Sequence, residues 1–252
     1  MLKSRVIPVL LLKNNGLVKT IAFNKSKYLG DPINAIKIFN DKQVDELIFL
    51  DIQASKEDRT PDFELVKKIA SECFMPLAYG GGISRVEHIQ KLFSIGVEKI
   101  IINSAVLENQ SLISEAAEIF GNQSIVVCID VKKNFWGKNQ IFCHVNNKTI
   151  DLDVLEHAIS CQNAGAGEIM INSVDRDGIM KGFDLELIAK ISSGISIPLI
   201  VCGGAGSIED FKNAKDRGAS GIAAGSFFVY HGPHKAVLIS YPSPETLEEY
   251  LS

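Results

Sequence analysis

Four aspartates stand where apolar runs give way to polar sequence. Asp51 ends Leu47-Ile48-Phe49-Leu50-Asp51, and Asp130 sits in Cys128-Ile129-Asp130-Val131-Lys132. Asp175 and Asp177 lie in Ser173-Val174-Asp175-Arg176-Asp177-Gly178. A carboxylate at the edge of an apolar core can accept or deliver a proton for a bound substrate. Asp130 is the first candidate for that work; the alternative is a structural aspartate bonded to Lys132 or to a loop N–H. Asp177 and Gly178 read as a loop contact to phosphate or substrate. Asp175 reads as a cap on the segment that follows.

Glycines cluster at similar boundaries. Cys202-Gly203-Gly204-Ala205-Gly206 and Ala224-Gly225-Ser226 close two apolar runs, and Gly80-Gly81-Gly82 and Asn103-Ser104 close two others. Phosphate binding needs backbone N–H groups that approach closely, which glycine permits, and a helix starting there adds its positive dipole end. Gly204, Gly225 and Ser226 form one predicted cradle; Gly82, Asn103 and Ser104 form a second. Two cradles suit a small molecule with phosphate at both ends. A relic of duplication, or a site for a diphosphate or another acidic group, would leave the same pattern.

These residues need a scaffold that gathers strand ends. Apolar runs predict strands near 6–12, 46–51, 76–79, 99–103, 124–130, 168–172, 198–201 and 221–224, with helical periodicity between them, as at 32–42, 62–73, 84–94 and 153–163. Continuous apolar strands alternating with helices indicate a parallel sheet, and eight such units close into a (β/α)8 TIM barrel of the α/β class. No GxGxxG follows the first strand, which counts against an open dinucleotide-binding sheet. An internal repeat points the same way. Gly81-Gly82 recurs as Gly203-Gly204, Gly96 to Ser104 as Gly218 to Ser226, and Val44 to Ile48 as Ala166 to Met170, each 122 positions later. One shared offset implies two half-barrels, roughly 1–122 and 123–252, within a single domain spanning 1–252. Active sites in such barrels sit at the C-terminal ends of the strands, where the aspartates and glycines fall.

Composition bounds the function. The 252 residues carry a formal net charge of −4, which argues against a nucleic-acid or bilayer-surface binder. The apolar run at 6–12 is too short to span a membrane and is followed by no cleavage site. Five cysteines (Cys73, Cys128, Cys143, Cys161 and Cys202) without CxxC spacing indicate neither a disulfide framework nor a metal site, and several read as small core residues. The expectation is a cytoplasmic enzyme without metal or cofactor.

Taken together, Asp45-Glu46-Leu47-Ile48-Phe49-Leu50-Asp51-Ile52, Gly80-Gly81-Gly82-Ile83, Gly165-Ala166-Gly167-Glu168-Ile169, Asp175-Arg176-Asp177-Gly178 and Gly203-Gly204-Ala205-Gly206 resemble the HisF cyclase subunit family of imidazole glycerol phosphate synthase over nearly the whole chain. The resemblance implies a heterodimer with a HisH-type glutaminase docked at the bottom of the barrel. Ammonia would cross the interior and attack a phosphoribosyl-formimino carboxamide ribonucleotide at the mouth. It also implies an ammonia gate of Arg5, Glu46, Lys99 and Glu168, and a catalytic Lys19 on a flexible loop over the substrate; a plain structural salt-bridge ring is the alternative for the four charges.

Two departures stand out. The family carries an aspartate on the first strand as partner to that on the fifth, but aligning Pro8-Val9-Leu10-Leu11-Leu12-Lys13 over Val127-Cys128-Ile129-Asp130-Val131-Lys132 puts Leu11 opposite Asp130. Leucine moves no proton, so two-carboxylate cyclisation is in question. The segment 227–239, with His231, His234 and Lys235, resembles HisF-like paralogues linked to surface (lipo)polysaccharide genes, where glutaminase-derived ammonia serves amidination of a nucleotide sugar. Those three residues would meet a diphosphate, or form an exposed polar loop. A third reading makes the barrel a non-catalytic partner that passes ammonia to another protein.

Overall fold

The eight predicted strands all form in the computed structural model, which describes residues 4–232 and 234–251. They are β1 (Arg5–Lys13), β2 (Leu47–Asp51), β3 (Leu77–Gly80), β4 (Lys99–Ile102), β5 (Ile125–Lys133), β6 (Glu168–Ser173), β7 (Leu199–Cys202) and β8 (Gly221–Ala224). Each pairs in parallel with the next, and β8 pairs with β1, which closes a (β/α)8 barrel. The outer layer is α1 (Pro32–Asp41), α2 (Phe63–Glu72), α3 (Val86–Ser94), α4 (Ser111–Phe120), α5 (Val154–Asn163), α6 (Leu185–Gly194), α7 (Ile208–Asp216) and α8 (Pro244–Leu251). No helix among the described residues is long and apolar enough to cross a membrane.

Strand alternation sorts side chains into two cores. Val6, Leu10 and Leu12 of β1, Leu47 and Phe49 of β2, and Val127 and Ile129 of β5 pack outward against the helices. Ile7, Val9 and Leu11, with Ile48, Ala78, Ile101, Val126, Cys128, Met170, Ile200 and Ala223, fill the barrel interior. The period of two has a functional consequence. A residue at a strand's start shares the inward face with those two, four and six positions on, so one column holds Arg5, Ile7, Val9 and Leu11, and another holds Glu168, Met170 and Asn172.

The repeat extends to the helix caps. The Asp31 side chain accepts from the N–H groups of Ile33 and Asn34 at the start of α1, and Asp153 does the same for Leu155 and Glu156 at α5. Asp62 caps α2 and Asp184 caps α6 through one N–H each. Asp153 lies 122 positions after Asp31, as Asp184 does after Asp62. Each cap satisfies helix donors that have no partner within the helix.

Two antiparallel insertions follow β1 and β5. Gly16–Lys19 pairs with the end of β1, Leu11 opposite Val18 and Leu12 opposite Leu17, and continues to the strand Lys27–Gly30. Asn139–Cys143 pairs with the end of β5, Val131 opposite Ile141, and continues to Lys148–Ile150. Strands of three to five residues carry too little alternation to stand out from the connections in the sequence. Lys19 is the last residue of the first hairpin strand, where the loop to the second begins. In the tail, Tyr230–His231 pairs with Ala236–Val237 in a small hairpin; Pro233 of that segment, and Met1, Leu2 and Lys3, lie outside the described residues.

Candidate active site

The C-terminal ends of the strands open into one cavity of about 140 Å³. Leu11, Leu50 and Val9 line the cavity at β1 and β2; Asp130, Asn103, Asn172, Asp177 and His144 line it at β4 to β6 and the segments that follow them, and Lys19 enters from the hairpin after β1.

Asp130, only 3% exposed, ends the inward column of β5. Asn103 Nδ2 donates to its Oδ2 at 2.8 Å, and Asn172 Nδ2 donates to its Oδ1 at 3.0 Å. His144 Nδ1 stands 3.6 Å from Oδ2. Lys132, the alternative partner, instead places its ammonium over the Phe142 ring, 5.2 Å from the centroid. Asp130 is thus held by two side-chain amides and faces the cavity, the placement expected of a proton-handling group.

Lys19 is 4% exposed, and its Nζ donates to Val9 O at 3.2 Å. Burial holds its pKa below the usual lysine range, against the pull of Asp177 and Cys202. Asp177 shows the complementary effect: burial lifts its pKa, against Lys19 and the Thr20 hydroxyl, which donates to Asp177 Oδ2 at 2.7 Å. The two groups interact across the mouth without direct contact being made into an ion pair. Gly178 packs close against Thr20 O, so the loop after β6 clasps the hairpin that carries Lys19. Asp175 has a different role from the expected cap. Its Oδ2 accepts from Lys133 N at 2.7 Å and ties that loop to the end of β5.

The strand ends expected to form cradles lie where the repeat puts them. Gly82 and Gly204 have φ of 71° and 124°, and a Cβ would strike Arg59 O at the first and Gly182 O at the second. Such backbone is open to glycine alone. Short helices Ser104–Glu108 and Ser226–Val229 begin at the mouth, after Asn103 and Gly225. All six cradle residues line the cavity. Asn103 also serves Asp130, so its side chain is already committed. At Gly225 a Cβ would meet the Lys19 ammonium, which reaches across β8 toward that cradle.

Cys128 and Cys202, read from sequence as core residues, also line the cavity. Burial raises Cys202 to about 12 and Cys128 well above its ordinary value, so neither presents a thiolate near neutral pH. His231, His234 and Lys235 are exposed and line no part of the cavity. Asn172, Thr20 and His144 join the site without a motif to mark them. Asn172 carries one signal in the sequence, as the polar last inward residue of β6, 122 positions after Leu50. His144 and Thr20 ride on the insertions.

At the opposite end of the barrel Arg5 Nη1 bonds Glu46 Oε2 at 2.5 Å and Arg5 Nη2 meets Glu168 Oε1 at 3.0 Å. Lys99 Nζ bonds the same two oxygens, each at 3.1 Å. The four charges form a closed ring below the apolar interior. Burial alone would lower the Arg5 pKa; Glu46 and Glu168 outweigh it and raise it. Glu46 Oε1 and Glu168 Oε2 are buried without a hydrogen-bond partner among the described residues.

The family model of the histidine biosynthesis proteins matches residues 5–235. The chain is 53% identical over 249 residues to a Pseudomonas aeruginosa protein named provisionally as imidazole glycerol phosphate synthase subunit hisF2, covering 98% of this chain and 99% of that one. It is 49% identical over 253 residues to a provisional subunit hisF3 of Vibrio vulnificus, covering 100% and 97%. It is 40% identical over 231 residues to the imidazole glycerol phosphate synthase subunit HisF of Petrotoga mobilis, covering 91% and 92%. With its barrel, its paired strand-end glycines and relatives of this kind along nearly all its length, the chain belongs to the histidine biosynthesis protein family, among the HisF-like imidazole glycerol phosphate synthase subunits.

Proposed function

We propose that this single-domain barrel takes ammonia from a HisH-type glutaminase at its charged end and uses it on a doubly phosphorylated phosphoribosyl substrate at its mouth. The observation that carries this reading is the charge ring. Two anions and two cations at a barrel end cost several kcal/mol in desolvation, and uncharged packing there would serve stability at least as well. Glu46 Oε1 and Glu168 Oε2 retain free acceptor capacity. That capacity suits a small N–H donor on its way in. Beyond the ring the interior is filled by Ile7, Ile48, Val126 and Met170, an apolar surrounding in which neutral ammonia is far less costly than ammonium.

At the mouth, Asp130 and Lys19 are the proton-handling candidates, and the two cradles, with Asp177 and Gly178, would hold the phosphates. A cavity of about 140 Å³ is small beside the roughly 300–1,000 Å³ of ligand pockets. On this reading the cavity widens when substrate enters. A second reading rests on Leu11. With no carboxylate opposite Asp130, the same ammonia would serve amidination of a nucleotide sugar, or pass to another protein without chemistry here.

The test mixes the chain with a HisH-type glutaminase and follows glutamine hydrolysis with and without the ribonucleotide. A rise that depends on the ribonucleotide, and is weakened tenfold or more in ribonucleotide affinity by Ser226→Asp, supports the first reading. A rise indifferent to the ribonucleotide favours the second. No rise in either condition rejects both.

A further inference from the structure

We infer that His144 and Asp130 form a proton-carrying couple at the mouth, with His144 supplying the function that the absent carboxylate at position 11 does not. The inference rests on the reading that ammonia reacts in this cavity.

Leu11 leaves the last inward position of β1 without a carboxylate, so a partner for Asp130 in proton traffic has to come from another element. The Asp130 carboxylate has both oxygens occupied, yet each by one amide only. A carboxylate oxygen accepts more than one bond, so capacity remains on Oδ2. His144 fills that direction. Its Nδ1 is 3.6 Å away, buried, and without a hydrogen-bond partner among the described residues. The separation is longer than a hydrogen bond and within the reach of an ion pair. Catalytic contacts of this kind commonly tighten only when substrate is bound.

The placement follows from the fold. His144 lies three residues beyond Ile141, which pairs with Val131 at the end of β5. Thr20 lies three beyond Leu17, which pairs with Leu12 at the end of β1. The insertions thus bring Thr20 to Asp177 and His144 to Asp130, each over the cavity. A carboxylate at Nδ1 fixes the imidazole tautomer, with the proton on Nδ1 and the lone pair on Nε2, the arrangement of a histidine base oriented by an aspartate.

The chemistry balances for ammonia adding to a carbonyl carbon of a phosphorylated substrate. The N–C bond forms and the carbonyl electron pair moves to oxygen. Nε2 takes the surplus proton from nitrogen, and the imidazolium, steadied by Asp130, delivers it to that oxygen. The other titratable groups lining the same cavity are Lys19, Asp51, Lys56, Cys128, Asp177 and Cys202.

Two measurements decide the matter. Imidazole 15N shifts of the full chain, with His144 assigned by its loss in His144→Gln, should show the Nδ1–H tautomer, changing to Nε2–H in Asp130→Asn. An Nε2–H tautomer in the unaltered chain, or no response to Asp130→Asn, overturns the couple. The complex with glutaminase, given ammonium chloride and the phosphoribosyl ribonucleotide, should lose about 100-fold in turnover with His144→Gln and lose one limb of its pH–rate profile. Unaltered turnover, or a uniform loss at every pH, overturns the proton-carrying role. An unaltered complex that shows the tautomer but does not turn over leaves the couple standing and rejects the ribonucleotide reading instead.

Discussion

Leu11 and Asp130 occupy the same register position in the two halves of the barrel. Leu11 pairs with Leu50 on β2, Asp130 pairs with Asn172 on β6, and Asn172 follows Leu50 by 122 positions. One half therefore ends in a leucine pair and the other in a hydrogen-bonded aspartate and asparagine. The cavity inherits that asymmetry: the leucines line it at β1 and β2, the aspartate and asparagine at β5 and β6.

The asymmetry predicts the outcome of Leu11→Asp. Leu11 is 8% exposed among apolar side chains, so a carboxyl there is desolvated and shares the cavity with Asp130. Both effects raise its folded pKa above the unfolded value. An acid with a raised folded pKa destabilises the fold above that pKa, and the penalty fades as pH falls below it. Urea unfolding should show a loss of about 2–4 kcal/mol at pH 8 and a smaller loss at pH 5.

Lys19 gives the opposite pH dependence. Its folded pKa is lowered by burial, so the fold carries the desolvation cost while the amine is charged and sheds it as pH rises through the folded pKa. Lys19→Met should stabilise the chain at pH 7 by about 1 kcal/mol, roughly 2–4 °C in Tm. The gain should shrink toward pH 10. Ammonia incorporation should fall in the same variant, which separates the role of Lys19 in chemistry from its role in stability.

Most of the barrel is legible in the sequence because its strands are continuous apolar runs and its glycines recur at one offset. Gly82 and Gly204 are legible as strand-end glycines for that reason. The four ring charges were named from family likeness alone, since nothing local in Arg5 or Lys99 says that they meet. Two features were out of reach. The insertions after β1 and β5 are short strands fixed by tertiary pairing, not by pattern, and His144 reaches Asp130 only through that pairing. The tail histidines had the residue types for a diphosphate site, but their hairpin lies away from the cavity.

The charge ring makes a separable prediction. In Lys99→Ala, Arg5 still bridges Glu46 and Glu168, so the barrel should fold with a loss of about 1–3 kcal/mol in urea unfolding. Glutamine hydrolysis in the complex should continue while the ammonia incorporated per glutamine falls. Unchanged coupling in the Lys99→Ala, Arg5→Ala double variant would reduce the ring to a structural feature.

The most direct measurement follows the nitrogen. The complex with a HisH-type glutaminase is given glutamine labelled with 15N at the amide, the phosphoribosyl ribonucleotide, and an excess of unlabelled ammonium chloride. The expected product carries mainly 15N, because ammonia released at the charged end crosses the barrel without mixing with solvent. A product carrying the bulk unlabelled nitrogen, or no labelled product at all, would contradict the claim that this barrel conducts and uses glutaminase-derived ammonia.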